Sequence, residues 1–184
     1  LSSAFHVSPF EESCVLSVDG FGDFASTAWG YGKNTDIKID NKIYFPHSLG
    51  IFYQALTQFL GFKNYGDEYK IMGLAPYGKP KFVEKLREII LSQKNGKFEL
   101  NLDYFKFHKE NFNYRWENGK VEIEDLYTNK ILDLLGPERK KEEPLKDFHR
   151  DIAHSTQKIY EEIFINILNN LYDKYQSNNL CIAG

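Results

Sequence analysis

Apolar and polar positions follow two different rhythms along this 184-residue chain. Cys14-Val15-Leu16-Ser17-Val18 is a nearly continuous apolar run ending in Asp19-Gly20, which reads as a buried strand entering a turn. Seven residues separate it from the β-branched and aromatic run Ser26 to Tyr31, so the two runs predict a hairpin. From Ile37 to Phe45 the apolar side chains alternate at Ile37, Ile39, Ile43 and Phe45, with Asn41 the exception. That pattern fits either one half-buried strand or a hairpin bent at Asp40-Asn41. The opening is therefore an antiparallel meander of two or three strands.

After Pro46 the period lengthens. Leu49, Phe52, Tyr53, Leu56 and Leu60 recur at three and four, predicting a helix with one buried face, capped by Ser48 and stopped by Gly61. A short helical turn over Asp67 to Met72, a helix over Pro80 to Leu91 and another over Glu122 to Leu135 follow. The aromatic stretch Phe98 to Trp116 shows no clear period, and Glu138 to Pro144 reads as a solvated loop of mixed charge. The clearest element is a long helix with Ile152, Thr156, Ile159, Tyr160, Ile163, Phe164, Ile167, Leu168, Leu171 and Tyr172 on one stripe. It leads through Gln176-Ser177-Asn178-Asn179 into the apolar run Leu180-Cys181-Ile182, an α-to-β step typical of layered α/β domains.

Composition narrows the functional classes. With 23 basic and 26 acidic side chains the net charge is −3, which argues against a nucleic-acid binder. No apolar run reaches the ~20 residues that cross a bilayer, and Leu1-Ser2-Ser3-Ala4 has no signal-peptide pattern, so no membrane partner and a cytoplasmic location are expected. Cys14 and Cys181 lie in apolar runs without a CxxC pairing and read as buried free thiols. A chain that starts without Met and stops at Ala183-Gly184, just after a strand, reads as a piece of a longer polypeptide.

Three segments could carry chemistry. In Ser17-Val18-Asp19-Gly20-Phe21-Gly22-Asp23, a carboxylate at a strand end followed by glycines can hold a metal or cradle phosphate, although Asp-Gly is equally a plain hairpin turn. Gly66 to Gly78 combines Asp67, Glu68 and Lys70 with a glycine-punctuated turn, and could surround an anion or simply begin a solvated helix. His47 sits at a strand-to-helix junction, as an anion ligand or a structural hydrogen-bonding partner. His149 and His154, about 140° apart on a helix, cannot chelate one ion from one face. No GxSxG, Walker A, GxGxxG, HExxH or EF-hand pattern occurs, which disfavours serine hydrolases, P-loop enzymes and Rossmann dehydrogenases.

Four motifs in order, Ser3 to Glu12, Val15 to Gly20, Phe45-Pro46-His47-Ser48-Leu49-Gly50 and Glu68 to Gly78, closely resemble the carbamoyltransferase family of nodulation-factor and antibiotic O-carbamoyltransferases. The Asp151-Ile152-Ala153 helix and the Asn179 to Gly184 strand extend the resemblance from end to end.

The resemblance implies an α/β, ribonuclease-H-like lobe of an actin-like ATPase fold: an antiparallel meander, a helical insertion over about 46–148, then a long helix and a strand. Residues 1–184 would form a single partial domain, the second lobe of an N-terminal transfer domain. The other lobe, with paired metal-binding histidines, and a C-terminal domain that makes carbamoyl-adenylate from carbamoyl phosphate and ATP would lie outside the chain. The implied reaction moves the carbamoyl group to a hydroxyl of a sugar-like acceptor.

By motif, Asp19 resembles a ligand for a divalent metal, with iron the expected ion; Gly20, Gly22 and Gly184 would face the nucleotide; Glu68 and Lys70 match the family's Glu-x-Lys and would line the carbamoyl-nucleotide or acceptor pocket. Gly66-Asp67-Glu68 stands where the family often has Gly-Glu. Tested alone, such a piece is expected to bind metal poorly and to transfer nothing. A non-catalytic binding or scaffold domain and a sugar- or acetate-kinase-like phosphotransferase are the competing classes.

Overall fold

The computed structural model describes residues 1–109, 114–117 and 119–184. In chain order it forms α1 (Ser2–Phe5), β1 (Glu12–Val18), β2 (Ala25–Lys33), β3 (Asp36–Tyr44), α2 (Leu49–Phe59), α3 (Glu68–Leu74), α4 (Val83–Leu86), β4 (Ile90–Ser92), β5 (Phe98–Leu100), β6 (Tyr114–Glu117), β7 (Lys120–Ile123), α5 (Asn129–Leu135), α6 (Asp147–Tyr175) and β8 (Leu180–Ala183). The class is mixed α/β. The chain divides into two compact units: Leu1–Gly50 with Ser92–Glu99 and Glu162–Gly184, and Ile51–Leu91 with Leu100–Glu161.

The first unit is built on a four-stranded sheet in the order β3-β2-β1-β8. β1 runs antiparallel to β2 and parallel to β8, with Val15 opposite Gly30 and Cys181. Alternation sends Val15 and Cys181 to one face, where Phe5 of α1 covers them. Gly32 leaves the room that the Phe5 ring fills, since a Cβ there would lie 2.8 Å from it. Leu16 and Trp29, directly opposite each other on the other face, are fully buried, each worth roughly 2 kcal/mol of transfer free energy. Tyr175 of α6 stacks on Tyr31 of that face at 4.5 Å. The two cysteines are buried, free, and on opposite faces of the sheet.

The exception at Asn41 has a structural cause. β3 is one strand, but its pairing with β2 jumps from Trp29↔Asn41 to Gly30↔Ile39, leaving Asp40 as the extra residue of a bulge. The bulge inverts the face that follows, so Ile43 is buried while Ile39 is exposed. Asp40 itself accepts from the Tyr175 hydroxyl at 2.7 Å and pairs with Lys174 at 2.8 Å. Burial pulls the Asp40 carboxyl upward, but Lys174 and Tyr175 outweigh it and hold the group below the usual carboxylate range.

In the second unit, α2 is not one-faced: Ile51, Phe52, Tyr53, Ala55, Leu56, Thr57, Gln58 and Phe59 are all buried. Its polar members are satisfied internally. Thr57 donates to the Tyr53 carbonyl at 2.9 Å, and Gln58 donates to the Ile123 and Glu124 carbonyls while accepting from the Leu126 N–H at 2.9 Å. That stitched loop is why the expected helix over Glu122 to Leu135 is instead the end of β7, a turn and the short α5, closed by Gly136 at φ +106°. The expected helix over Pro80 to Leu91 shortens to α4 because the apolar run Ile89-Ile90-Leu91 goes extended: Ile90 opens β4, and the Asn101 N–H donates to the Ile89 carbonyl at 2.8 Å.

The segment expected as a helical insertion, about 46–148, carries strands β4 to β7 as well as helices. Within the aromatic stretch Phe98, Phe105 and Phe107 are buried core, and residues 110–113 lie outside the described residues. On α6 the stripe members Ile152, Thr156, Ile159, Ile163, Ile167 and Leu171 are buried, Tyr160, Phe164 and Leu168 are half-buried, and Tyr172 at its end is exposed.

Gly78 decides how the second motif meets α6. A Cβ on it would lie 1.9 Å from the Arg150 carbonyl oxygen, so only glycine allows the approach. Beside it the Lys79 N–H donates to Asp151 at 2.8 Å, and Lys81 pairs with the other oxygen of that buried carboxylate at 2.7 Å. We expect Gly78→Ala to cost about 3 kcal/mol of stability, measured as a fall in the urea midpoint; an unchanged midpoint would refute the contact.

His149 sets a pH dependence. It is buried, and its Nδ1 accepts the Lys146 N–H at 3.0 Å, which requires a neutral ring. Burial, then the Arg139 and Lys146 charges, lower its pKa from 6.5. A lowered histidine stabilises fully above its unfolded value and loses that contribution as pH falls below it. Stability should therefore decline between pH 7 and pH 5, and the decline should shrink in His149→Asn, followed by denaturation at both pH values.

Candidate functional site

The C-terminal ends of β1 and β8 lie side by side because the two strands are parallel, with Ser17 opposite Ala183. One step further, Gly184 (φ +137°) meets Val18 so closely that a Cβ would lie 1.8 Å from the Val18 carbonyl oxygen. Asp19 leaves β1 at the same edge. Its N–H donates to the Ser26 carbonyl at 2.8 Å, closing the neck of the turn, and its exposed side chain accepts from the Gly20 N–H through Oδ1 at 2.7 Å. The Gly22 N–H donates to the Ala25 carbonyl at 3.2 Å.

A third element arrives from the start of α2. Ser48, fully buried, donates its hydroxyl to the Asp19 carbonyl at 3.1 Å. Gly50, in the first turn of α2, lies so near the turn that a Cβ would sit 2.9 Å from the Gly20 Cα and 3.1 Å from its nitrogen. Ser26 donates to the His47 carbonyl, tying the approach of that segment back to β2. Asp19, Gly20, Gly22 and Gly184 are thus brought to one edge of the first unit, braced by the segment His47 to Gly50. Open space surrounds the position a Cβ would take on Gly20. Phe21 and Phe45, both part-exposed, touch at a ring separation of 5.4 Å and flank the turn.

Two readings change at this edge. The glycines were expected to turn free N–H groups toward a phosphate, yet the N–H groups of Gly20 and Gly22 are spent on Asp19 and Ala25; these glycines supply clearance instead of donors. His47 contributes its carbonyl and, through its N–H, a bond to the Tyr44 carbonyl at 3.0 Å. The brace by Ser48 and Gly50 was missed. Its signal was a glycine inside the first turn of a helix, a placement that costs about 1 kcal/mol and so asks for a reason.

Glu68 and Lys70 belong to the second unit. Two residues apart on α3, they leave the helix about 160° apart. Lys70 pairs with buried Asp67 at 2.7 Å and sits over the Phe62 ring, while the other Asp67 oxygen accepts from the Asn64 N–H and side-chain amide. Lys70 therefore closes a local structural knot. Glu68, on the opposite side, adds its charge to the field on Tyr53. Asp67, whose alignment was ambiguous, is the hub of that knot.

A metal does not fit the described residues by themselves. No three His, Cys, Asp or Glu side chains among them converge on a common point, and Asp19 offers one carboxylate with one oxygen already engaged.

What the edge does define is a strand-end site of an α/β protein: one exposed carboxylate, crowded by backbone that only glycine permits. Across residues 1–184 the sequence matches the family described as carbamoyltransferase N-terminus, and the chain belongs to that family. It is 39% identical over its whole length to the uncharacterized protein sll1178 of Synechocystis, covering 28% of that protein. It is 32% identical to the nodulation protein NolNO of Sinorhizobium fredii and 31% identical to the nodulation protein NolO of Bradyrhizobium diazoefficiens, each over 99% of this chain and over 23% and 29% of the relative. The chain spans less than a third of the length of these relatives. No described helix is long and apolar enough to cross a membrane.

We expect Gly50→Ala to displace the turn although alanine is the better helix former. The gain of about 1 kcal/mol in propensity is outweighed by a Cβ contact of under 3 Å with backbone. Amide chemical shifts of Asp19 and Gly20 should move in this variant and in Ser48→Ala; shifts confined to residues 48–52 would count against the brace.

Proposed function

We propose that the intact protein is an O-carbamoyltransferase and that this chain supplies one wall of its transfer site. Membership of the carbamoyltransferase N-terminus family over the full 184 residues is the observation that carries the reading. The donor we propose is carbamoyl-adenylate, formed from carbamoyl phosphate and ATP elsewhere in the intact protein. The acceptor is a hydroxyl of a sugar-like molecule. The sheet order β3-β2-β1-β8, with a single parallel pair reached through α6, supports a ribonuclease-H-like lobe of an actin-like ATPase fold.

Within that reading, the chain's own contribution is local. Asp19 holds a carboxylate at the open edge, oriented by the Gly20 N–H, with Oδ2 left to accept from a hydroxyl or to serve as one donor to a cation. A divalent metal, iron in our expectation, would need its remaining donors from outside the described residues. Gly20, whose Cβ position faces open space, keeps that edge free of a side chain so that a bulky activated carbamate can approach the main chain, while Gly22 and Gly184 let the backbone of the nucleotide-facing edge close tightly on Ala25 and Val18.

The test is to incubate the intact protein with carbamoyl phosphate, ATP and a panel of sugar and aminocyclitol alcohols, and to detect the carbamate ester by mass spectrometry. Asp19→Asn keeps the shape and the hydrogen bond but removes the charge, and should lower kcat by about 10²-fold or more. Wild-type turnover without any carbamate product, or full activity in Asp19→Asn, would defeat the proposal.

A further inference from the structure

A groove in the second unit takes no part in the reading above. One wall is a strip on α6, His154, Gln157, Lys158 and Glu161, whose spacing of three and four puts them on one helix face. The other wall is Met72 of α3 with Ala75 and Pro76 of the 3-10 turn (Ala75–Tyr77) that follows. The groove holds about 480 Å³, within the range of small-molecule sites.

Its polar wall is pre-set. His154 is bonded through Nδ1 to the Ala75 carbonyl at 3.0 Å; a carbonyl can only accept, so Nδ1 carries the hydrogen and Nε2 is the ring atom left for a ligand, an acceptor in the neutral tautomer. Gln157 accepts from the Tyr53 hydroxyl at 2.7 Å and donates to Glu161 at 2.8 Å, which steadies that carboxylate. Lys158 is an exposed donor between them. On the apolar side Met72 is 49% exposed, open to a ligand in the groove.

Ligand chemistry follows from the two walls. A lone anion gains little, because Glu161 offsets Lys158. A wholly apolar ligand would strip water from three polar groups without replacing their hydrogen bonds. Hydroxyls both donate and accept, matching Nε2 and the carboxylate as acceptors and the ammonium as donor. A ring carrying them offers a C–H face to Met72 and Pro76.

We propose that this groove binds a hydroxylated ring of the carbohydrate class, with its hydroxyls toward His154, Lys158 and Glu161 and its apolar face toward Met72 and Pro76. From the proposed function it takes only the hydroxyl-bearing class of acceptor. Its test measures binding without transfer, so the two ideas fail separately.

The experiment is saturation-transfer NMR on the intact protein with methyl α-glucopyranoside, glucosamine and sucrose, each at millimolar concentration, the affinity an open groove of this kind supports. At least one sugar should receive saturation, and Glu161→Ala and Met72→Ala should each weaken its binding about tenfold with an unchanged melting temperature. Should either variant melt early, Lys158→Ala, at an exposed side chain, replaces it with the same expected loss. No saturation of any of the three sugars, or equal binding in wild type and variants, overturns the assignment.

Discussion

The first unit depends on a shortage of space at the end of β1. Gly184 has to pass the Val18 carbonyl and Gly50 has to pass the Gly20 Cα at distances that leave no room for a Cβ. With the main chains this close, the loop after β1 has little freedom, and Asp19 is held at its base by three hydrogen bonds, from its own N–H, from Ser48 and from the Gly20 N–H. Rigid backbone is what lets one exposed carboxylate keep a defined direction, since a side chain with two rotatable bonds otherwise samples several rotamers in water.

The second unit repeats the device with different parts. Gly78 brings the main chain onto Arg150, and the buried Asp151 carboxylate collects the Lys79 N–H and the Lys81 ammonium. Asp67 likewise collects Asn64 and Lys70. In each case a motif that looks like acid, base and cation poised for chemistry is used to satisfy a buried charge, because an unpaired carboxylate at that depth would cost more than the fold can spare. The carbamoyltransferase motif around Glu68 to Gly78 therefore serves architecture at Asp67, Lys70 and Gly78. Its outer side, at Met72 and Pro76, faces a groove that those structural roles leave open.

Much of the secondary structure was legible because burial imposes a period. The runs Cys14 to Val18 and Ser26 to Tyr31, and the stripe from Ile152 to Leu171, read directly as β1, β2 and α6. Where reading failed, a tertiary contact had overridden the local preference. The bulge at Asp40 reverses alternation in β3 for the sake of Tyr175 and Lys174, and the carbonyls that Gln58 collects keep residues after β7 out of a helix.

The amino-acid order alone determined the meander, the long helix, the free buried thiols and the presence of Asp19 beside glycines at a strand end, since each follows from side-chain periodicity or backbone freedom within a few residues. Only the folded chain decided what those residues face. Gly184 reaches Val18 from 166 positions away through the parallel pairing of β1 and β8, and Ser48 reaches Asp19 across a hairpin, contacts that no local pattern encodes. The Gly20 N–H turned to the Asp19 carboxylate, the Gly22 N–H to the Ala25 carbonyl and Lys70 to Asp67 for the same reason: a nearby acceptor within the protein was the partner that folding brought into range.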